Sequence, residues 1–294
     1  MDSHTAIRNE PNPLLQTVAS VDRRSAPLLV ADNTSEATGE KRAPNFRMIC
    51  QPLCRVGGRG GPAWVEMLIR GTGSDARKSP MKIAQRGYRS AGLEFDLMVL
   101  DAALATAAEL QPDTRIGVNI RPCSLGRPDF VQALQSMLMR RRIAPDRLVL
   151  ELIEYHGPVR LHDARESLHR LRRMQIKIAL DDFGPGYPNL DVLAEGLVDF
   201  VKLDRSLITA LDRSPHQTGV LQGITALAKS TGVTLVAEGI ETPGQMNALK
   251  RLGIEWMQGF LFGRPTTLQQ TRSCSPDTAT FNRPGARMAP RFNR

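Results

Sequence analysis

The chain has 294 residues, 41% of them hydrophobic and only 5% aromatic, and a formal net charge of +9. No run of about 20 apolar residues occurs, so no transmembrane helix is expected, and "MDSHTAIRNEPNPLL" lacks the basic start and apolar core of a signal peptide. The arginines of "MRRR" (Met139–Arg142), "RLRR" (Arg170–Arg173) and the C-terminal tail have no aromatics interleaved, so they read as solvated faces and no nucleic-acid polymer is expected as a partner.

Residues 1–45 mix Pro, Ser, Asn, Thr and charge without periodicity and read as a disordered or loosely attached leader. Strand candidates follow at "FRMICQPL", "WVEMLIR", "RIGVNI", "LVLELI", "IKIAL", "FVKL", "VTLVAE" and "EWMQGF". Helical patterns lie between most of them. "FDLMVLDAALATAAEL" is one, and "RLHDARESLHRLRRM" is another, with Leu161, Ala164, Leu168 and Leu171 at intervals of three and four. "HQTGVLQGITALAKSTG" ends on Gly232 as a C-cap. "TPGQMNALKRLG" opens on Thr242–Pro243 and closes on Gly253. From residue 267 to 294 a basic tail without periodicity is expected to be disordered.

Strands alternating with helices over roughly 220 residues predict a TIM-like (β/α)8 barrel over residues 46–266. An open doubly wound sheet is the alternative, but no GxGxxG follows the first strand. The Gly-rich "RVGGRGGPA" between the first two strands is too short for a helical crossover. It predicts an antiparallel first strand.

Cys50, Cys54, Cys123 and Cys274 form no CxxC pair. They read as reduced thiols in a cytoplasmic protein.

Polar groups recur at or near the C-terminal strand ends: Glu66 and Arg70, Asn119, Glu151 and Glu154, Asp181 and Asp182, Lys202 and Asp204, Glu238 and Glu241, and Gln258. In a barrel those ends meet at one mouth. Hard oxygen donors in such number suit Mg²⁺ or Mn²⁺. Without cations the carboxylates would raise one another's pKa values. Adjacent aspartates can flank two metals about 3.5–4 Å apart, as in displacement at phosphorus, and a nearby lysine can orient the attacking water. The set points to phosphodiester hydrolysis.

"EMLIR", "VNI", "ELIE", "DDFGPGY", "VKLDRSL", "VAEGIET" and "QGFLFGRP" resemble, in order and spacing, the motifs of the EAL-domain family. The resemblance implies hydrolysis of cyclic di-GMP to linear pGpG with two Mg²⁺ or Mn²⁺ ions. It assigns Glu66, Asn119, Glu151 and Asp181 to one metal, and Asp181, Asp182 and Glu238 to the second. Lys202 would hold the attacking water and Gln258 would help position it. Gln51, Leu68 and Arg70 would line the dinucleotide pocket, with Arg70 on a phosphate. Glu154 and Glu241 would be supporting carboxylates, Glu154 holding the loop after Asp182. Asp204 and Arg205 would be mainly barrel-rim structure.

The chain departs from the family pattern at Met67, expected to point away from Glu66 and affect packing only, at Arg121–Pro122, and at Ile153. Pro185, Pro188 and Asn189 replace hydroxyl residues in a loop that normally couples dimerisation to metal binding. A homodimer stays open as an assembly. The alternative function is a non-catalytic EAL-like regulator that binds cyclic di-GMP or a protein.

His156, His162 and His169 are spaced by six and seven, not the four that pairs ligands on a helix face. They are expected at the surface. Trp64 and Trp256 are expected in the core, and Met137 and Met139 in helix packing.

Overall fold

Near-continuous apolar runs such as Leu148–Leu152, buried at every position, need cover on both faces, which a closed sheet wrapped in helices supplies. A computed structural model, which describes residues 44–57, 64–153, 164–184, 190–209, 211 and 214–271, places eight strands in one closed barrel. They are β1 (Phe46–Arg55), β2 (Trp64–Gly71), β3 (Arg115–Ile120), β4 (Leu148–Leu152), β5 (Lys177–Phe183), β6 (Phe200–Leu203), β7 (Thr234–Ala237) and β8 (Trp256–Gln258). β1 is antiparallel to β2 and β8, and every other pair is parallel. The short link between the first two strands therefore acts as expected, and the doubly wound alternative is excluded.

The helices among the described residues are α1 (Pro80–Ala91), α2 (Glu94–Ala107), α3 (Pro122–Leu125), α4 (Phe130–Arg141), α5 (Arg165–Arg173), α6 (Leu190–Ala194), α7 (Arg205–Ile208), α8 (Pro215–Thr231), α9 (Pro243–Arg251) and α10 (Leu268–Thr271). α8 ends on Gly232 at φ 75°, a left-handed cap that glycine adopts without a Cβ penalty. α9 opens on a capping box between Thr242 and Gln245.

Outward strand residues such as Val65, Val118, Leu150, Ile178 and Leu203 pack with Phe95, Leu100, Phe130 and Leu168 from the helices. Each such side chain, fully buried, contributes about 1.5–3 kcal/mol. Met67 belongs to this outer core, its sulfur 3.6 Å from Cys50 Sγ, so it faces away from Glu66. Inside the barrel, Leu53, Trp64, Val149, Ala179, Phe200 and Val236 form a second apolar cluster, with Trp256 against it.

Three expectations need correction. Met139 is 66% exposed and is not a packing residue. Arg140 and Arg141 of "MRRR" are not merely solvated: both pair with Asp101 of α2 at 2.9 Å. The fold also runs past residue 266, since α10 follows and Leu268 is buried. Glu154, His156, His162, Pro185, Pro188, Asn189, the leader to residue 43 and the tail from residue 272 lie outside the described residues. No helix among the described residues is long and apolar enough to cross a membrane.

Candidate active site

Along a strand, residues two apart share a face. Each inward apolar residue is therefore followed, one layer nearer the C-terminal mouth, by a polar one. Trp64 leads to Glu66, Val149 to Glu151, Ala179 to Asp181, Phe200 to Lys202, Val236 to Glu238 and Trp256 to Gln258. On the reversed β1 the order inverts, and Gln51 precedes Leu53. β3 supplies Gly117 and then Asn119, which sits beside Glu151 in register. One barrel layer is a hydrophobic floor, and the next is the site.

Lys202 occupies its centre. The side chain is 1% exposed. Its Nζ lies 2.6 Å from Glu151 Oε2, 2.7 Å from Glu238 Oε1, 2.9 Å from Asp181 Oδ1 and 3.6 Å from Glu66 Oε2. Two amides complete the ring: Asn119 Nδ2 donates to Glu66 Oε1 at 2.7 Å, and Gln258 Nε2 donates to Glu66 Oε2 at 2.6 Å.

Asp182 breaks the alternation. Neighbours on a regular strand face opposite sides, so two adjacent aspartates could not share a site. The register of β5 on β6 shifts between Leu180 and Phe183, and Asp182 has φ 54°. That left-handed conformation costs about 1–2 kcal/mol for a residue with a Cβ. It brings carboxylate oxygens of Asp181, Asp182 and Glu238 within 4.8 Å of one another.

Burial opposes charge on Lys202, but the summed attraction of Asp181, Glu151, Glu238 and Glu66 outweighs it and holds its pKa well above the usual value. Burial pushes Glu151 the same way, helped by Glu66 and Asp181 against the pull of Lys202. Burial likewise pushes Glu238 up to about 8, despite Lys202. Asp182 rises to about 6, through burial first and then through Asp181. One cation does not balance this cluster.

The donor set fits divalent cations. Asn119 Oδ1, Glu151 Oε1, Asp181 Oδ1 and Gln258 Oε1 are buried without a hydrogen bond, although Asp181 Oδ1 is close to Lys202. Buried acceptors of this kind are costly to leave unsatisfied, and a hard cation satisfies oxygen donors of this type.

A cavity of about 310 Å³ opens over the layer, lined by Gln51, Glu66, Leu68, Asp181, Lys202, Arg205, Glu238, Glu241, Gln258 and Phe260 among others. Arg70 stands on the inward face of β2, but its Nη1 donates to the Ile69 carbonyl at 2.8 Å. Arg205 pairs with Glu241 at 3.1 Å on the rim, with both side chains substantially exposed. An exposed pair of this kind contributes little. Replacing Glu241 by Gln should therefore change unfolding stability by less than about 1 kcal/mol, checked by urea titration. Asp204 caps α7 through the Ser206 N–H at 2.8 Å, a structural task.

One supporting cluster escaped the strand-end pattern. Behind Asn119, buried Asp96 accepts from the Tyr88 hydroxyl at 2.6 Å and from the Ser124 hydroxyl. It also accepts from the Arg121 backbone N–H at 3.4 Å. The Arg121 guanidinium stacks on the Tyr88 ring at 3.3 Å. This anchors the turn after Asn119 and gives Arg121–Pro122 a structural role. The only sequence signal was an aspartate inside an apolar helix pattern.

The EAL domain model matches residues 34–265. Among curated proteins, the chain is 30% identical over 177 residues to the probable cyclic di-GMP phosphodiesterase PdeA of Escherichia coli, covering 59% of this chain and 24% of that protein. It is 33% identical over 158 residues to the cyclic di-GMP phosphodiesterase RocR of Pseudomonas aeruginosa, covering 54% of this chain and 40% of that one. The matched segment thus spans less than half of either relative. Among solved structures, the PaMucR phosphodiesterase in complex with c-di-GMP superposes with a TM-score of 0.67 at 27% identity, over 77% of this chain and 94% of that one. The manganese and cyclic di-GMP complex of Klebsiella pneumoniae BlrP1 gives 0.69 at 28% identity, over 78% and 58%. With the barrel, the reversed first strand and the motifs in register, the chain belongs to the EAL domain family.

Proposed function

We propose that this chain is a metal-dependent phosphodiesterase that hydrolyses cyclic di-GMP to linear pGpG. The observation that carries the reading is the polar layer itself. Glu66, Glu151, Asp181, Asp182 and Glu238 surround Lys202 on one barrel mouth, with acceptor oxygens left unsatisfied. Fully ionised, five carboxylates exceed one lysine by four charges, the charge that two divalent cations bring. Relatives named as cyclic di-GMP phosphodiesterases support the choice of substrate.

Glu66, Asn119, Glu151 and Asp181 would hold one ion, and Asp181, Asp182 and Glu238 the second, as Mg²⁺ or Mn²⁺. Bound there, the ions supply a water nucleophile acidified enough to ionise near neutral pH and neutralise charge on the phosphoryl oxygens. Lys202 points its donors at the space between the carboxylates and orients that water. The Gln258 amide is pinned by Glu66, which leaves its Oε1 to accept from a water proton. Gln51 and Leu68 line the approach for the nucleotide, and Arg70 can swing from the Ile69 carbonyl to a phosphate. Glu154 and Glu241 complete the proposed set as supporting carboxylates.

The test is turnover. Purified protein with cyclic di-GMP and Mg²⁺ or Mn²⁺ should release pGpG. Binding of the nucleotide with no product under either metal would instead identify a non-catalytic regulator.

The shifted carboxyls also predict how metal and pH interact. Glu238 titrates near 8 in the metal-free fold, against about 4.3 when unfolded. The folded state thus holds the extra proton across that window, and stability falls as pH rises through it. Asp182 adds the same sign up to about 6. Metal must displace those protons. The Mn²⁺-induced rise in Tm should therefore be larger at about pH 8 than at about pH 5.5. A rise independent of pH would count against these carboxyls as the ligands.

A further inference from the structure

Gly117 and Trp64 form a cradle under Glu151. A Cβ added at Gly117 would lie 1.8 Å from Glu151 Oε1 and 2.7 Å from Trp64 Nε1. The two atoms therefore flank one small space that exists because residue 117 has no side chain. Both are buried, and neither has a hydrogen-bond partner among the described residues. Chemically they are complementary: an indole N–H only donates, and a carboxylate oxygen only accepts.

The indole cannot easily turn elsewhere. Its ring packs on Phe200 at 4.8 Å and on Trp256 at 6.1 Å between centroids. Arg115 lies over both of those rings, at 5.7 and 5.8 Å. The opposite oxygen of Glu151 is held by Lys202 at 2.6 Å. Glu151 is thus gripped by Lys202 through one oxygen, while its other oxygen sits in the Gly117 cradle beside the indole N–H without yet bonding to it.

We propose that Trp64 is a positioning residue for the metal site: its indole N–H, admitted by Gly117, is the donor available to Glu151 Oε1 and so sets the orientation in which that carboxylate would hold an ion. The hydrophobic floor of the barrel thereby carries one polar function. The inference rests on the reading of Glu151 as a metal ligand. Partners that orient a ligand in this way typically change metal affinity by about 10–100-fold when lost.

The experiment measures Mn²⁺ binding to the full chain by calorimetry. Trp64→Phe keeps an aromatic ring and removes the N–H, and Mn²⁺ affinity should fall about 10-fold. Turnover should recover at raised Mn²⁺, so the metal activation constant moves more than kcat. Gly117→Ala puts a methyl group where Glu151 Oε1 sits and should weaken binding as well. Trp256→Phe changes the same aromatic cluster away from Glu151 and should bind Mn²⁺ normally. If Trp64→Phe does not fold, the Trp256→Phe chain leaves Trp64 as the sole tryptophan. Its indole ¹H–¹⁵N resonance should then shift on adding Mg²⁺.

Normal Mn²⁺ affinity in folded Trp64→Phe, or an unmoved indole resonance, would overturn the role of Trp64 alone. A wild-type chain that binds no Mn²⁺ would overturn the metal reading and this inference with it.

Discussion

Lys202→Ala should lower cyclic di-GMP turnover by at least about 10³-fold, the scale of losing a preorganised electrostatic group together with a water-orienting donor. It should also destabilise the metal-free protein. The ammonium has four carboxylates within 3.6 Å and is almost fully buried. Removing one partner of a buried ion pair leaves uncompensated charge, typically at about 3–5 kcal/mol. Some of that is recoverable, because Glu151 and Glu238 already lean toward their protonated forms through burial. The stability loss should therefore shrink at low pH and shrink again with Mn²⁺. Unfolding curves at two pH values, with and without metal, check this. A variant that is unstable in all four conditions alike would show that Lys202 serves packing rather than charge balance.

Much of this site could be read from the sequence, for a physical reason. The barrel brings C-terminal strand ends to one mouth, so residues far apart in the chain needed only the right position in each strand. Glu66, Asn119, Glu151, Asp181, Lys202, Glu238 and Gln258 all met that condition. The reversed first strand was legible because a short Gly-rich link cannot hold a crossover helix. Asp182 was marked by its place at a strand end beside Asp181, but its direction was not legible. By strand alternation it should point away, and the shift between Leu180 and Phe183 that redirects it has no local signature.

Side-chain partnerships were less legible. Trp64 was correctly expected in the core, but its unpaired indole N–H depends on a glycine on the neighbouring strand. Asp96 was hidden inside an apolar helix, and its partners Tyr88 and Ser124 come from other elements. Met139 follows the apolar pattern of α4, yet the helix turns it to solvent. Helix α1 was missed although Ser79 and Pro80 supply a cap and a first-turn proline, because its apolar face is interrupted by glycine and charge.

Asp181→Asn should give a similar loss of function without the loss of stability. Asn matches Asp in shape but carries no charge. In the proposed site Asp181 would serve as a ligand to both ions, so Mn²⁺ affinity should fall and turnover should drop by at least about 10³-fold. Yet the metal-free protein should be no less stable than wild type. Its cluster holds more carboxylates than cations, and Asp181 is among the charges that raise Glu151, Asp182 and Glu238. Removing that charge relieves repulsion, so the Asp182 carboxyl should move back down toward the ordinary range. Lys202 keeps Glu151 and Glu238 at 2.6 and 2.7 Å. The two inactive variants should therefore move metal-free Tm in different directions, down for Lys202→Ala and level or up for Asp181→Asn. Packing alone does not predict that split, because both side chains lie in the same barrel layer. If Asp181→Asn loses as much stability as Lys202→Ala, excess negative charge is not what the fold stores at this mouth, and the case for cations as its missing partners fails with it.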